Sequence, residues 1–224
     1  ARDARGGWMM RANTWRLKTL NGQWETLSPL PHPQAEAATV SLGGFIHMAG
    51  GRSPAGSRNL EWADHIDTDE HWYYDAGDNR WRGLAPLPTA RNSTAGVTVN
   101  GVFYVIGGRT VAGGNTDAVE VYDPLSDRWE KARPMPKALG GLAAAVLGGK
   151  IYVFGGEYAK PVPGVFPQAW EYDPDKDKWR AVAAMSRPRH GHGAVTLGDA
   201  IYVLGGGAQY SGRETSAALD KFEI

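Results

Sequence analysis

Apolar residues along this chain come in short bursts separated by polar, glycine-rich and proline-rich stretches. Four bursts end on a double glycine: GFIHMAGG at Gly51, VFYVIGG at Gly108, KIYVFGG at Gly156 and AIYVLGG at Gly206. Before them come runs of small residues such as STAGVTV and GHGAVTL, joined by a tight turn (LGG, VNG, LGD) whose glycines and asparagine suit positive φ. After them come VEVYD or AWEYD and a turn such as DPLSDR or DPDKDK, in which Asp accepts backbone hydrogen bonds and Pro sets φ. A last strand carries tryptophan and stops near APLP or RPMP, since proline cannot extend a ladder. The pattern predicts units of four short strands, a to d in chain order.

These units repeat. Seven residues separate an aromatic from a tryptophan at Tyr74–Trp81, Tyr122–Trp129 and Tyr172–Trp179, and WRLKTLNGQW keeps the spacing with Leu17 and Trp24. The terminal LDKFEI places Phe222 where the other units have tyrosine. From tryptophan to tryptophan the period is 57, 48 and 50 residues. The chain divides into a partial unit 8–30, units 34–86, 91–135 and 139–185, and a final partial unit 189–224, all within one domain spanning 1–224.

Double glycine, tyrosine and tryptophan at kept spacings near 50 residues resemble kelch repeats, over almost the whole chain. The resemblance implies an all-β fold, a kelch β-propeller whose four-stranded antiparallel blades stand around a channel. A lone four-stranded sheet cannot cover both its faces, so each blade must pack on its neighbours, with the Tyr and Trp rings supplying much of that burial. About four and a half blades are present. The expectation is a six-bladed ring whose first blade and a half lies outside this sequence. The alternative is a smaller ring in which GQWETL completes the last blade and TWRLKTL is left over.

Composition narrows the functional classes. Lys and Arg total 24, as do Asp and Glu, so no net field attracts nucleic acid or an anionic membrane. No run of about 18 apolar residues suggests membrane insertion. The absence of cysteine removes disulfides, thiolate metal sites and thiol nucleophiles, yet leaves the compartment open between cytoplasm and periplasm or exterior.

In such a meander the d–a and b–c crossings share one face. The b–c loops are long and differ between units, so recognition is expected there, around the channel mouth. From second glycine to tyrosine the first full unit takes 23 residues, against 14 and 16 in the next two. The extra length is the loop containing EWADHIDTDEHW, which puts Trp62, Asp64 and His65 over that face as candidate ligand contacts. His65, Asp67, Asp69 and His71 alternate, so an extended backbone would turn all four to one side as weak candidates for a metal.

Aligned columns add further candidates. The mouth of strand a reads Gln34, Arg91, Leu139, Arg189, then Ala35, Asn92, Gly140, His190; just after the glycines stand Arg52, Arg109, Glu157 and Gly207. Arginines at a concave mouth suit an anionic group, particularly a carboxylate. Equally, they suit salt bridges between blades, to Glu36, Asp64 or Glu157. The ligand-binding candidates are therefore Arg52, Trp62, Asp64, His65, Arg91, Asn92, Arg109, Glu157, Arg189 and His190.

Two functions follow. One is a binding propeller that takes a protein or small-molecule ligand without turnover and needs no cofactor. The other is a carbohydrate-active enzyme. Galactose oxidase-like proteins resemble this chain in their repeats, but their cysteine-modified tyrosine cannot form here. N-acetylneuraminate epimerase-like propellers are similar in repeat form and imply an acidic-sugar epimerase or mutarotase. In that reading Glu157 and His190 are the catalytic candidates, and Arg91 or Arg189 holds the sugar carboxylate.

Overall fold

A computed structural model describes residues 9–223. Trp8, the first residue of the initial partial unit, and Ile224 lie outside them. The first complete sheet is Ala38–Leu42, Phe45–Ala49, His71–Asp75 and Arg80–Gly83. The second is Ala95–Val99, Val102–Ile106, Val119–Asp123 and Arg128–Lys131, and the third Ala143–Leu147, Lys150–Phe154, Ala169–Asp173 and Lys178–Val182. A fourth has three strands, Gly193–Leu197, Ala200–Leu204 and Leu219–Glu223. The first three are antiparallel meanders in the order a, b, c, d, as the sequence pattern predicts, and the fourth runs a, b, c.

The a strands of successive sheets pack directly on one another, so the sheets stand around a common axis as propeller blades. A chain of backbone hydrogen bonds passes from blade to blade around that axis. Ser93 N–H donates to Glu36 C=O at 2.9 Å, Gly141 N–H to Ser93 C=O at 2.9 Å, and Gly191 N–H to Gly141 C=O at 2.8 Å. The four equivalent residues all have left-handed φ, at 59° (Glu36), 53° (Ser93), 68° (Gly141) and 58° (Gly191). Two are not glycine, so the inner crossing itself imposes this conformation.

The double glycines serve the next layer out. Gly108 N–H donates to Leu139 C=O in the following blade at 2.8 Å, and its φ is 112°. A Cβ there would stand 2.6 Å from both Asn92 O and Thr94 Cγ2, so the position excludes any side chain.

At the outer edge, tyrosine and tryptophan act together. Tyr74, Tyr122 and Tyr172 lie in register with Trp81, Trp129 and Trp179, with ring centroids 5.1, 5.2 and 4.8 Å apart. Each tyrosine hydroxyl donates to the turn residue five positions on: Asn79 at 2.7 Å, Asp127 at 2.9 Å and Asp177 at 2.8 Å. The same turn oxygens accept a backbone N–H from the preceding element, at Ser28, Ala85 and Arg133. Each indole N–H donates to the carbonyl of that same residue, at 3.1, 2.8 and 2.9 Å. Each of the three four-stranded blades is thereby stapled to the element before it. Phe222 fills the tyrosine position of the fourth sheet, packed on Tyr152 and Phe154.

Before the first blade, Thr14–Leu17 pairs with Trp24–Leu27, and Trp81 reaches Thr14 Oγ1 at 3.3 Å. GQWETL therefore belongs to this hairpin and does not complete the last blade, and TWRLKTL is its partner strand. Among the described residues no strand pairing joins the hairpin to the fourth sheet.

Between the first and second blades two histidines meet. His47 Nδ1 lies 3.1 Å from His71 Nε2, and His71 Nδ1 lies 3.3 Å from Ala85 O, among Phe103, Tyr122 and Trp129. Burial, then the neighbouring His47, push His71 down to about 4, and burial also lowers His47. An unfolded histidine titrates near 6.5, so the native state binds protons less readily than the unfolded one. Stability is then complete above about pH 6.5 and falls as pH drops towards about 4, by roughly 3 kcal/mol for His71. Urea midpoints measured across that window are expected to fall with pH, and His71→Phe to flatten the profile. His192, between the third and fourth blades, is held down to about 4 by burial and then by the Arg189 charge, and adds to the same loss.

Candidate functional site

The d–a and b–c crossings meet on one rim. At each blade the residue that opens strand a bridges to the residue just past the double glycine: Ala35 to Arg52, Asn92 to Arg109, Gly140 to Glu157, and His190 to Gly207. Two columns that differ sharply in charge are thus paired partners around the mouth. Past these bridges the long loops form hairpins of their own, Arg52–Pro54 with His65–Asp67, Glu157–Tyr158 with Gly164–Val165, and Gly207–Gln209 with Arg213–Thr215.

The side chains of these columns form a ladder of alternating charge. Arg52 donates to Glu36 Oε1 at 2.8 Å, and Arg109 reaches Glu36 Oε2 at 3.4 Å. Arg109 also donates to Glu157, whose other oxygen lies 3.4 Å from His190 Nδ1 and accepts Ser211 N–H at 2.9 Å. Burial raises the Glu36 pKa, but the Ser93 hydroxyl and the charges of Arg52 and Arg109 outweigh it and hold the carboxyl below its usual range.

Trp62 lies across this ladder. The Arg52 guanidinium sits 4.4 Å from its ring centroid and that of Arg109 5.2 Å, and its indole N–H donates to Val111 O of the second blade at 3.0 Å. The ring is still 40% exposed. Trp62, Arg109, Glu157 and Tyr210 line both of two adjoining recesses. A central one of about 590 Å³ is completed by Glu36, Arg52, Glu61, His190 and Ser211. A lateral one of about 600 Å³ opens between the loops of the second and third blades.

The structure thus brings Arg52, Trp62, Arg109, Glu157 and His190 together. Asn92 is buried behind them, its amide donating to Asp67 Oδ1 at 2.6 Å. His65 is buried too: Arg52 Nη1 donates to its Nδ1 at 2.7 Å, so the ring N–H is on Nε2, which donates to Asn59 Oδ1 at 3.2 Å. Asp64 caps the backbone N–H groups of Leu60 and Glu61 at 3.1 and 3.0 Å, and these bonds hold its pKa below normal.

Arg91 and Arg189 stand elsewhere. Arg91 is fully buried between strands of the second blade, bonded to Glu120 and to the carbonyls of Thr89, Val105 and Gly107. Arg189 holds Asp220 Oδ2 at 2.6 Å and the carbonyls of Arg187 and Val203 at 3.2 Å. Neither guanidinium lines the central or the lateral recess. The shared duty of this column is carried by the backbone: the carbonyls of Arg91, Leu139 and Arg189 each accept the second-glycine N–H of the preceding blade.

The alternating run His65, Asp67, Asp69, His71 does not turn to one side. Strand His65–Asp67 pairs within its own hairpin, and the chain turns at Thr68–Glu70 before strand c begins. Asp67 accepts Val111 N–H at 2.8 Å as well as Asn92, Asp69 lines a separate cleft beside His32 and Glu70, and His71 enters the core. Among the described residues no three histidine or carboxylate groups gather as metal ligands.

Glu36, named from the sequence as a salt-bridge partner of the mouth arginines, does pair with Arg52 and Arg109, although it stands one column beyond the two compared, in the row Glu36, Ser93, Gly141, Gly191. The role of Arg91 and Arg189 was signalled within the repeats: strand c places Glu120 and Asp220 opposite them, but Trp170 where the mouth residue is Leu139. Tyr210, Ser211 and Lys137 left no such trace.

Comparison with known proteins follows the repeats. The family profile described as the KLHDC2/KLHL20/DRC7 Kelch-repeats domain matches residues 64–220. Kelch repeat and BTB domain-containing protein 12 of Danio rerio is 32% identical over 94 residues, which are 42% of this chain and 15% of that protein. Kelch-like protein 13 of Mus musculus is 29% identical over 124 residues, 46% and 18% of the two chains. Beta-scruin of Limulus polyphemus is 29% identical over 94 residues, 42% and 10%. The chain therefore spans less than a fifth of the length of these relatives. The solved structure of YjhT superimposes with a TM-score of 0.68 at 14% identity, covering 96% of this chain and 95% of its own, a likeness of fold.

Proposed function

This chain belongs to the kelch-repeat family, and from that premise we propose that it is a binding propeller whose rim of d–a and b–c crossings docks a partner protein. Kelch propellers are typically protein-interaction scaffolds. The observation that carries the reading is Trp62, exposed on the rim and held there by Val111 O and two stacked guanidiniums. A large aromatic already fixed in place loses little conformational freedom on docking, which is what interface anchors require. The paired charges beneath it are already neutralised, so covering them strands no unpaired ion.

The acidic-sugar reading fits less well. It assigned the carboxylate grip to Arg91 or Arg189, both enclosed in their own blades, while Arg52 and Arg109 are engaged by Glu36 and Glu157.

The test is capture of partners by the immobilised chain. Trp62→Ala is expected to weaken capture by about 2 kcal/mol, or roughly thirty-fold. Leu125→Ser, at a 96% exposed site in a c–d turn, is expected to change nothing. Loss with Leu125→Ser and not with Trp62→Ala would place docking on the other face and end this reading.

A further inference from the structure

The lateral recess differs in charge from the central one. Its floor is the Tyr158–Phe166 pair, with ring centroids 4.4 Å apart, and the Lys137 ammonium stands 4.3 Å from the Phe166 centroid. Lys160 lines the same recess. Among the described residues neither ammonium has a carboxylate within ion-pair distance. The one carboxylate in the lining, Glu157, is buried and bonded to Arg109 and Ser211 N–H. Gly113 and Gly114 form part of the wall, with open space where a Cβ would stand, so bare backbone is presented there.

Building on the rim-docking reading, we propose that this recess takes an acidic side chain from an extended segment of the partner protein. Its carboxylate would lie at Lys137 and Lys160, and its apolar neighbour on Tyr158 and Phe166. Charge complementarity selects the occupant, because the rim arginines are already paired and these lysines are not. An anion entering at Arg109 would have to displace Glu157 and leave that buried carboxylate uncompensated, whereas one entering at Lys137 displaces only water. The cation–π contact holds Lys137 over the aromatic floor before any ligand arrives.

Fluorescein-labelled peptides of about eight residues with alternating Leu and Glu, titrated into the whole chain by fluorescence anisotropy, test this. The Glu peptide is expected to bind about ten-fold tighter than its Gln counterpart and to beat its Lys counterpart by more. Lys137→Glu is expected to remove that preference and Lys137→Met to halve it on a logarithmic scale, both with unchanged thermal melting. Equal binding of Glu and Gln peptides, indifference to Lys137→Glu, or no binding of the Glu peptide would each overturn the inference. A phosphoserine peptide more than about ten-fold tighter than the Glu peptide would overturn the assignment to a carboxylate. If the Glu and Gln peptides bind equally and Trp62→Ala abolishes both, rim docking stands while the acidic recess falls.

Discussion

Replacing Glu120 by alanine is expected to destabilise the protein by about 3–5 kcal/mol, because it leaves the Arg91 guanidinium charged and buried with no counter-ion. The two side chains are 0% and 1% exposed, and the remaining Arg91 donors are bonded to carbonyls that cannot neutralise it. Burial already lowers the proton affinity of Arg91 against the opposing pull of Glu120, which shows the direction of the desolvation penalty. Thermal melting should fall on the order of 10 °C for a chain of this size. The double replacement Arg91→Leu with Glu120→Leu is expected to cost less than Glu120→Ala alone, since two apolar groups leave no charge behind. A double variant as unstable as the sum of its parts would show that the pair matters through shape and not through charge. Partner capture should be unchanged in any folded variant, because neither side chain lines the rim recesses.

Trp129→Ala carries the second large effect, about 3–5 kcal/mol. Its ring packs on Tyr122, Phe103 and His71 at 5.2, 5.7 and 5.2 Å between centroids, and its indole N–H donates to Ala85 O at 2.8 Å. Truncation therefore opens a cavity between the first and second blades and leaves Ala85 O with only the weaker contact to His71. Trp129→Phe is expected to recover most of the packing but not the hydrogen bond, leaving about 1 kcal/mol of the loss. Urea unfolding followed at more than one wavelength would measure both values. Unchanged stability in Trp129→Ala would refute the staple between blades.

The acid sensitivity of the His47–His71 pair bears on the same interface as Trp129, because both histidines lie against its aromatic cluster. One blade interface thus contains an indole staple and a neutral imidazole pair, and because Trp129 packs on His71 the pH profile and the Trp129 series probe one coupled cluster.

Sequence alone determined the blade strands, their order within each blade and the pairing of tyrosine with tryptophan, while the short hairpins inside the b–c loops were not read from it. Those features depend on period-two backbone geometry and on turns of a few residues, which neighbouring positions dictate. It also determined which crossings form the rim, because strand order sends alternate turns to opposite ends, and it singled out Arg52, Trp62, Arg109, Glu157 and His190. What only the tertiary structure decided was where charged side chains point once several blades meet. Arg91 and Arg52 are equally arginine at a blade mouth, yet one turns inward to Glu120 and the other outward to Glu36 and Trp62. The partner of each lies 29 or 16 positions away, on a different strand or crossing. Coulomb energy and desolvation act through distances in space, and the spacing of residues along the chain does not encode those distances.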